Sequence, residues 1–255
     1  MRIIISPAKK MNIDTDSLNH IGLPVFVDRT EKLLEALRSM SREELKKLWT
    51  CNDRIADLNV ERLSCMDVRR GLTPAILAYE GIQYQYMAPG VFSESEFAYV
   101  QEHLRILSGF YGILRPFDGV VPYRLEMQAK LSVDGAKDLY GFWGKSLAEA
   151  LFEGTDCILN LASKEYSRCI SGYLSENVHF VTCVFGEEVN GRVVEKGTMC
   201  KMARGEMVRF MAENNLREIE AIKSFDRLDY RYSEESSTDD TYVFIRNKKI
   251  EDIWQ

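Results

Sequence analysis

The sequence predicts a mixed α/β (α+β) fold, with a central mixed sheet and surrounding helices in a single compact domain. Three observations carry that expectation. Short apolar runs of strand length recur along the chain, at Ile3-Ile4-Ile5, at Cys157-Ile158-Leu159-Asn160-Leu161 and at 241–246. Longer segments with helical spacing of apolar residues separate them. The 255 residues, 45% hydrophobic and 28% charged, are enough to bury a sizeable core. No repeat and no linker divides the chain, so residues 1–255 are expected to form one domain.

Residues 2–5 read as a strand that stops at Ser6-Pro7. Helices are expected at 28–38, 41–49 and 52–65. The second opens on Ser41-Arg42-Glu43-Glu44, a capping box in which Ser41 and Glu44 satisfy each other's free N–H groups. The apolar run 75–79, bounded by Pro74 and Gly81, reads as a strand. Ser93-Glu94-Ser95-Glu96 is a second capping box. It opens a helix carrying Phe97, Val100, Leu104 and Leu107 and closing at Ser108-Gly109. Tyr111 to Pro116 then reads as a tight, glycine-punctuated connection. A helix is expected at 143–152 and a buried strand at 157–161. Strands at 178–185 and 192–196 flank Asn190-Gly191, a hairpin signal because both turn positions tolerate φ > 0. A helix at 199–214, a short one at 216–222 and a closing strand at 241–246 complete the reading, with Ser233 to Asp240 as a polar loop.

Composition excludes several classes. The formal charge of −6 argues against a protein that coats nucleic acid indiscriminately. Basic residues are nonetheless gathered locally, as Lys196, Lys201, Arg204, Arg209 and Arg217 against Glu206 and Glu213. No run approaches the roughly 18 apolar residues of a membrane helix, and the N-terminus lacks the pattern of a secretory signal. A cytoplasmic location is therefore expected, with no membrane partner. The six cysteines form no C-x-x-C pair and read as reduced thiols. His20, His103 and His179 are scattered, and no Walker loop, nucleophile elbow or dinucleotide fingerprint is present. No metal and no cofactor are expected.

Three segments could carry chemistry. Ser6-Pro7-Ala8-Lys9 follows the first strand, where open α/β sheets gather ligands. A hydroxyl and an ammonium there suit an anion, although a solvated lysine at a strand exit accounts for them as well. Residues 92–127 combine a capped helix, the Gly109-x-x-Gly112 turn, Arg105 and Arg115, and the run Tyr123-Arg124-Leu125-Glu126. Two helices flanking such a turn would present N–H groups to a phosphate, as helix-hairpin-helix DNA binders do. Tyr123, Arg124 and Glu126 would supply an aromatic face, a fork of donors and an acceptor for a base or ribose; an Arg–Glu structural pair beside a core tyrosine is the plainer account. On the helix at 199–214, Met199, Met202, Ala203, Met207, Phe210 and Met211 share one side. Lys201, Arg204 and Arg209 share the other, with Gly205 among them. A glycine inside a helix costs about 1 kcal/mol relative to alanine, which makes sense where another backbone or a phosphodiester comes close.

Taken together, these segments resemble the YaaA family of peroxide stress proteins. The residues that carry the resemblance run in order through nearly the whole chain. They are Ser6-Pro7-Ala8-Lys9, Phe92-Ser93-Glu94, His103 to Gly109, Tyr111 to Pro116 with Asp118, and Pro122 to Met127. Asp138-Leu139-Tyr140, Phe142-Trp143-Gly144, Asn160 to Ser163 with Glu165-Tyr166, Ala203-Arg204-Gly205 and Arg209-Phe210 follow. Two positions depart from the family pattern: Glu80 stands where a lysine is usual, and Gln128 where a glycine is usual. The resemblance implies a compact mixed α/β body and a cytosolic role in the hydrogen peroxide response that limits damage from unincorporated iron. It also implies DNA binding through a positively charged cleft with a helix-hairpin-helix element.

The leading expectation is thus a DNA-binding protective protein without catalysis, monomeric, with Lys9, Arg105, Gly109, Gly112, Arg115, Arg124, Lys201, Arg204 and Arg209 as nucleic-acid contacts. The alternative is an enzyme acting on a nucleobase or nucleotide, with Lys9 as nucleophile or phosphate clamp and Tyr123, Arg124 and Glu126 around the base. Direct iron sequestration is disfavoured by the scatter of carboxylates and histidines.

Overall fold

In the computed structural model, residues 1–247 are described. In chain order the elements begin with β1 (Arg2–Ile5), β2 (Lys10–Met11), α1 (Val27–Arg38), α2 (Arg42–Trp49), α3 (Asp53–Cys65), β3 (Thr73–Pro74) and α4 (Ala75–Ala78). Next come β4 (Tyr79–Glu80), α5 (Ile82–Met87), α6 (Glu94–His103), β5 (Leu104–Ser108), β6 (Gly112–Leu114) and β7 (Gly119–Val120). Then follow α7 (Leu139–Trp143), α8 (Ser146–Phe152), β8 (Cys157–Leu161), α9 (Lys164–Ser171), β9 (His179–Val189), β10 (Arg192–Val194) and α10 (Gly197–Glu213). The described chain closes with β11 (Tyr230–Tyr232) and β12 (Thr241–Arg246); 3-10 turns lie at Pro89–Val91 and Ile219–Ser224.

The main sheet has eight strands in the order β11-β12-β9-β8-β1-β5-β6, with β10 hairpinned onto β9. Its centre is parallel: β1 pairs with β5 on one side and β8 on the other, and β8, β9 and β12 continue outward. Antiparallel β6 and β11 close the two edges. Central parallel strands are covered on both faces and so read as continuous apolar runs. Ile3, Ile4 and Ile5, all 0% exposed, meet that requirement.

Taken in the order of the chain, the five parallel strands lie second, first, third, fourth and fifth across the sheet. The direction of strand addition therefore reverses between β1 and β8. A doubly wound sheet leaves a crevice outside the carboxyl ends of its strands at such a switch point. Here that point is occupied by Ser6, after β1, and Ser163, after β8.

Local signals explain most of the elements. Both capping boxes form, Ser41 with Glu44 and Ser93 with Glu96, and Asn52 caps α3 through Ile55 N–H. The Asn190-Gly191 turn adopts φ of 52° and 71° and joins β9 to β10.

Four expectations need correction. Residues 75–78 form a helical turn, not a strand, and only Tyr79–Glu80 are extended, pairing with Lys10–Met11. The helix opened by Ser93 ends at His103. Leu104 and Leu107 lie instead on β5, because Ile3 and Ile5 pair with Leu104 and Ile106. Gly109-x-x-Gly112 is therefore the turn of the β5–β6 hairpin, not a link between two helices, and no helix-hairpin-helix forms there. The helix expected over 143–152 is two short helices, α7 and α8, broken at residues 144–145. Helices α2 and α3, joined by residues 50–52, do pack against one another.

Candidate functional site

The crevice at the switch point is a cavity of about 420 Å³. Strand ends β1 and β8 form its floor. Ser6 Oγ accepts the Ser163 backbone N–H at 2.8 Å and lies 3.2 Å from Ser163 Oγ, so one hydroxyl ties the two strand exits together. Tyr84 on α5 donates to the Ser6 carbonyl at 2.9 Å. Lys9 and Lys10 leave this floor into solvent, 67% and 70% exposed.

One wall is the extended segment 122–127. Tyr123 is anchored by its hydroxyl, 2.7 Å from Ser108 Oγ and 2.8 Å from Tyr79 Oη, and its ring stacks on Phe110 at 5.0 Å. Burial pushes its phenol up to about 12. The next residues alternate across the segment, so Arg124 and Glu126 both face the cavity. Arg124 Nη2 stands 3.0 Å from Glu126 Oε1, and Lys9 Nζ stands 3.2 Å from the same oxygen. These are charge contacts outside hydrogen-bond angles, and Arg124 Nε has no acceptor within the protein.

The backbone of this wall passes very close to the β5–β6 turn. A Cβ added at Gly109 would lie 2.6 Å from the Leu125 carbonyl oxygen and 2.9 Å from the Glu126 carbonyl carbon. Only glycine admits that approach. Gly109 thus positions Arg124 and Glu126 from behind. Gly112 is buried against Trp143 and Leu147. Both glycines face protein, and neither is placed to meet a phosphate.

The opposite wall is α10. Lys201 is exposed, while Arg204 has a side chain only 13% exposed, Nη2 3.2 Å from Glu195, and an Nε without an acceptor. Gly205 is buried, not part of a solvated face. A Cβ there would fall 2.0 Å from the Gln83 carbonyl oxygen. The close partner that this glycine requires is the backbone of α5. Arg209 points elsewhere, bound to Glu213 at 2.7 Å.

Carboxylates complete the rim. Glu165, second residue of α9, accepts the Gln128 backbone N–H at 3.3 Å. Burial pushes its carboxyl up, Glu126 adds to that, and Lys9 partly offsets it. Glu80 pairs with Lys10 at 2.5 Å, which holds its carboxyl below the usual range. The glycine-to-Gln128 departure is accommodated, since Gln128 is exposed and has no positive φ.

A second cavity of about 630 Å³ adjoins the first and shares Lys9 and Glu126 with it. Lys47, Trp49 and Thr50 from the end of α2 line its far side, with Lys130 opposite. The two form a continuous cleft from the α2–α3 turn to α10. Seven basic side chains line it: Lys9, Lys10, Lys47, Arg124, Lys130, Lys201 and Arg204. Glu44, Glu80, Glu126 and Glu165 oppose them.

Of the residues singled out from sequence, the structure brings together Lys9, Tyr123, Arg124, Glu126, Lys201 and Arg204. Arg105 and Arg115 lie at the other end of the sheet around a different cavity. Sequence reasoning did not assign Ser163, Glu165, Lys47 or Lys130 to the site. Ser163 carried a readable signal, a serine two residues after a buried apolar strand, much as Ser6 follows β1, but the two exposed lysines carried none.

All six cysteines are free thiols. Burial pushes Cys157 and Cys200 up, Cys169 up to about 12, and Cys183 further, opposite to what an activated thiolate needs. Among the described residues no group of three or more His, Cys, Asp or Glu could hold a metal ion, and no helix is long and apolar enough to cross a membrane.

The sequence model of the family described as peroxide stress protein YaaA matches residues 1–236. The chain belongs to the YaaA family. Its relatives include proteins named UPF0246. One from Lachnoclostridium phytofermentans is 56% identical over 248 residues, 97% of each chain. One from Desulfitobacterium hafniense is 56% identical over 246 residues, covering 96% of this chain and 98% of its own. A third, from Pediococcus pentosaceus, is 52% identical over 248 residues, 97% of this chain and 99% of its own. Membership of the YaaA family thus extends over the strands, α9 and α10 that build the cleft.

Proposed function

We propose that this YaaA family member binds DNA in the cleft through phosphate contacts, and so limits the damage that peroxide and unincorporated iron inflict on DNA. The observation that carries this reading is the pair of buried arginine donors at one crevice. Arg124 Nε and Arg204 Nε both lack an acceptor although both residues line the same cavity. An unsatisfied buried donor costs about 1–3 kcal/mol, and guanidinium forks match phosphate oxygens. The flanking lysines of the cleft extend that preference along a backbone. The α2–α3 pair, whose turn lines the far cavity, is the element we assign to the helix-hairpin-helix role that the family resemblance implies.

Fluorescence anisotropy of labelled duplex and nicked DNA across a salt series tests the reading. Each phosphate contact contributes about 0.9 to the slope of log K against log salt. Lys9→Ala/Lys201→Ala is expected to weaken binding across sequences and to flatten the slope by about 1–2. Absent binding, salt-insensitive binding or an unchanged slope would overturn it.

A catalytic reading on a nucleobase or nucleotide has one observation in its favour, the raised Glu165 carboxyl within the cavity. The version with Lys9 as nucleophile fits less well. That amine is 67% exposed and paired with Glu126, whereas an amine nucleophile is activated by desolvation or a neighbouring cation. Borohydride trapping on abasic DNA separates the two: an adduct lost in Lys9→Ala favours the enzyme.

A further inference from the structure

We infer a second anion site, for a small organic phosphate monoester, at the opposite end of the sheet from the cleft. Arg2, Arg105 and Arg115 line one cavity of about 560 Å³. Strand register brings them there. Arg2 opens β1, Arg105 is the second residue of β5, and Arg115 follows β6; Ile4 pairs with Arg105 and Ile106 with Leu114.

The three charges are held close, and Asp118 offsets them only in part. Arg2 Nη1 and Arg105 Nη1 both donate to the Glu102 carbonyl. Two guanidinium groups sharing one acceptor are near neighbours, and their repulsion is poorly screened because Arg105 is 9% exposed. No carboxylate among the described residues lies within 4.0 Å of Arg2, Arg105 or Arg115 as an ion pair. The Glu102 carboxylate is turned to Arg217 and His103. Asp118 Oδ2 accepts the Arg115 backbone N–H at 2.8 Å and its carboxylate offsets part of the charge of Arg105 and Arg115, while Glu153 sits exposed on the rim. Burial first, then Arg2 and Arg115, bring Arg105 down to about 10.

An anion seated among the three forks relieves that repulsion. A tetrahedral dianion accepts from several guanidinium groups at once. Beside the carboxylates of Asp118 and Glu153, the remaining wall carries an apolar stretch of Leu23, Val25, Ile113, Leu114 and Ala150, with Val25 67% exposed. A phosphate ester with an apolar body satisfies both halves. The inference stands apart from the DNA reading, since it shares no residue with the cleft.

Calorimetric titration of the full chain with phenyl phosphate tests it, with inorganic phosphate as the headgroup alone. Saturable one-site binding is expected, with inorganic phosphate weaker. Arg115→Ala, at an exposed position, should lower phenyl phosphate affinity about tenfold while circular dichroism stays unchanged. Arg105→Lys, which keeps the charge and loses the fork, should weaken it as well. Lys201→Ala in the cleft should leave it intact, and Arg115→Ala should leave duplex DNA affinity intact. No saturable binding, or equal affinity in Arg115→Ala, would overturn the site. So would a pattern in which Arg115→Ala weakens duplex binding and phenyl phosphate does not bind, because the arginines would then serve a phosphodiester.

Discussion

Glu80 places a carboxylate on the rim of a basic cleft and engages Lys10 at 2.5 Å. The family resemblance implies a cation at this position. A lysine here would change the local charge by +2 and release Lys10. Glu80→Lys is expected to tighten duplex binding at low salt by about three- to tenfold and to steepen the salt slope by about 1–2. Anisotropy titrations at two or more salt concentrations read this directly; an unchanged slope would mean that DNA does not pass this rim. At the same scale, sequence reasoning singled out Lys9, Arg124 and Glu126, which line one cavity, because each sits in a short motif beside a strand or turn. It grouped with them Arg105 and Arg115, whose motif is equally distinct but which line a different cavity. A motif says that a residue is constrained, and here Arg105 is constrained by the carbonyls of Gln101, Glu102 and Leu104.

At the scale of elements, the α5–α10 crossing is set by Gly205. The added methyl of Gly205→Ala would meet the Gln83 carbonyl oxygen at 2.0 Å and Met87 N at 2.9 Å. Alanine gains about 1 kcal/mol in helix propensity, but a clash with backbone cannot be relieved by a rotamer change. The expected net effect is a loss of about 2 kcal/mol or more. Thermal unfolding should show a Tm lowered by several degrees, and DNA affinity should fall because α5 and α10 carry Tyr84, Lys201 and Arg204. An unchanged Tm would show that the two helices separate freely. The helix at 94–103 teaches the limit of local signals. Its start was legible in the Ser93–Glu96 capping box, and its end was not. Leu104, Ile106 and Leu107 are compatible with either element, and pairing with β1 made them a strand.

For the molecule as a whole, stability against pH balances two kinds of carboxylate. Hydrogen bonds and ion pairs hold Asp14, Glu44 and Asp53 below their ordinary values, which stabilises the fold at neutral pH and is lost on acidification. Asp118, 7% exposed, works the other way. Burial pushes it up from 3.8 to about 6, outweighing the Arg115 N–H and the nearby arginines. Folded protein then binds the proton more tightly than unfolded chain, so the contribution of Asp118 is full below its unfolded value and is lost as pH rises through about 6. Asp118→Asn keeps an acceptor for the Arg115 N–H and removes the charge. The variant should be more stable than the parent at pH 7 by on the order of 1–2 kcal/mol, with the gain vanishing below pH of about 4. Denaturant unfolding at several pH values checks this, and a gain independent of pH would assign the effect to packing instead.

The sequence by itself determined the α/β class, the starts of the two helices opened by capping boxes, the β9–β10 hairpin and the family. Each rests on interactions within a few residues, such as caps, turn geometry and apolar periodicity, or on an ordered set of motifs. Only the tertiary structure decided that β1 lies between β5 and β8, and hence where the crevice opens. It also decided that Gly109 and Gly205 answer to backbone instead of phosphate, and that the basic residues divide between two ends of one sheet. The physical reason is that these outcomes depend on pairing and packing with other segments, about a hundred or more residues away for β1 and Gly205 and in a separate stretch of chain for Gly109, and local propensity is blind to the partner.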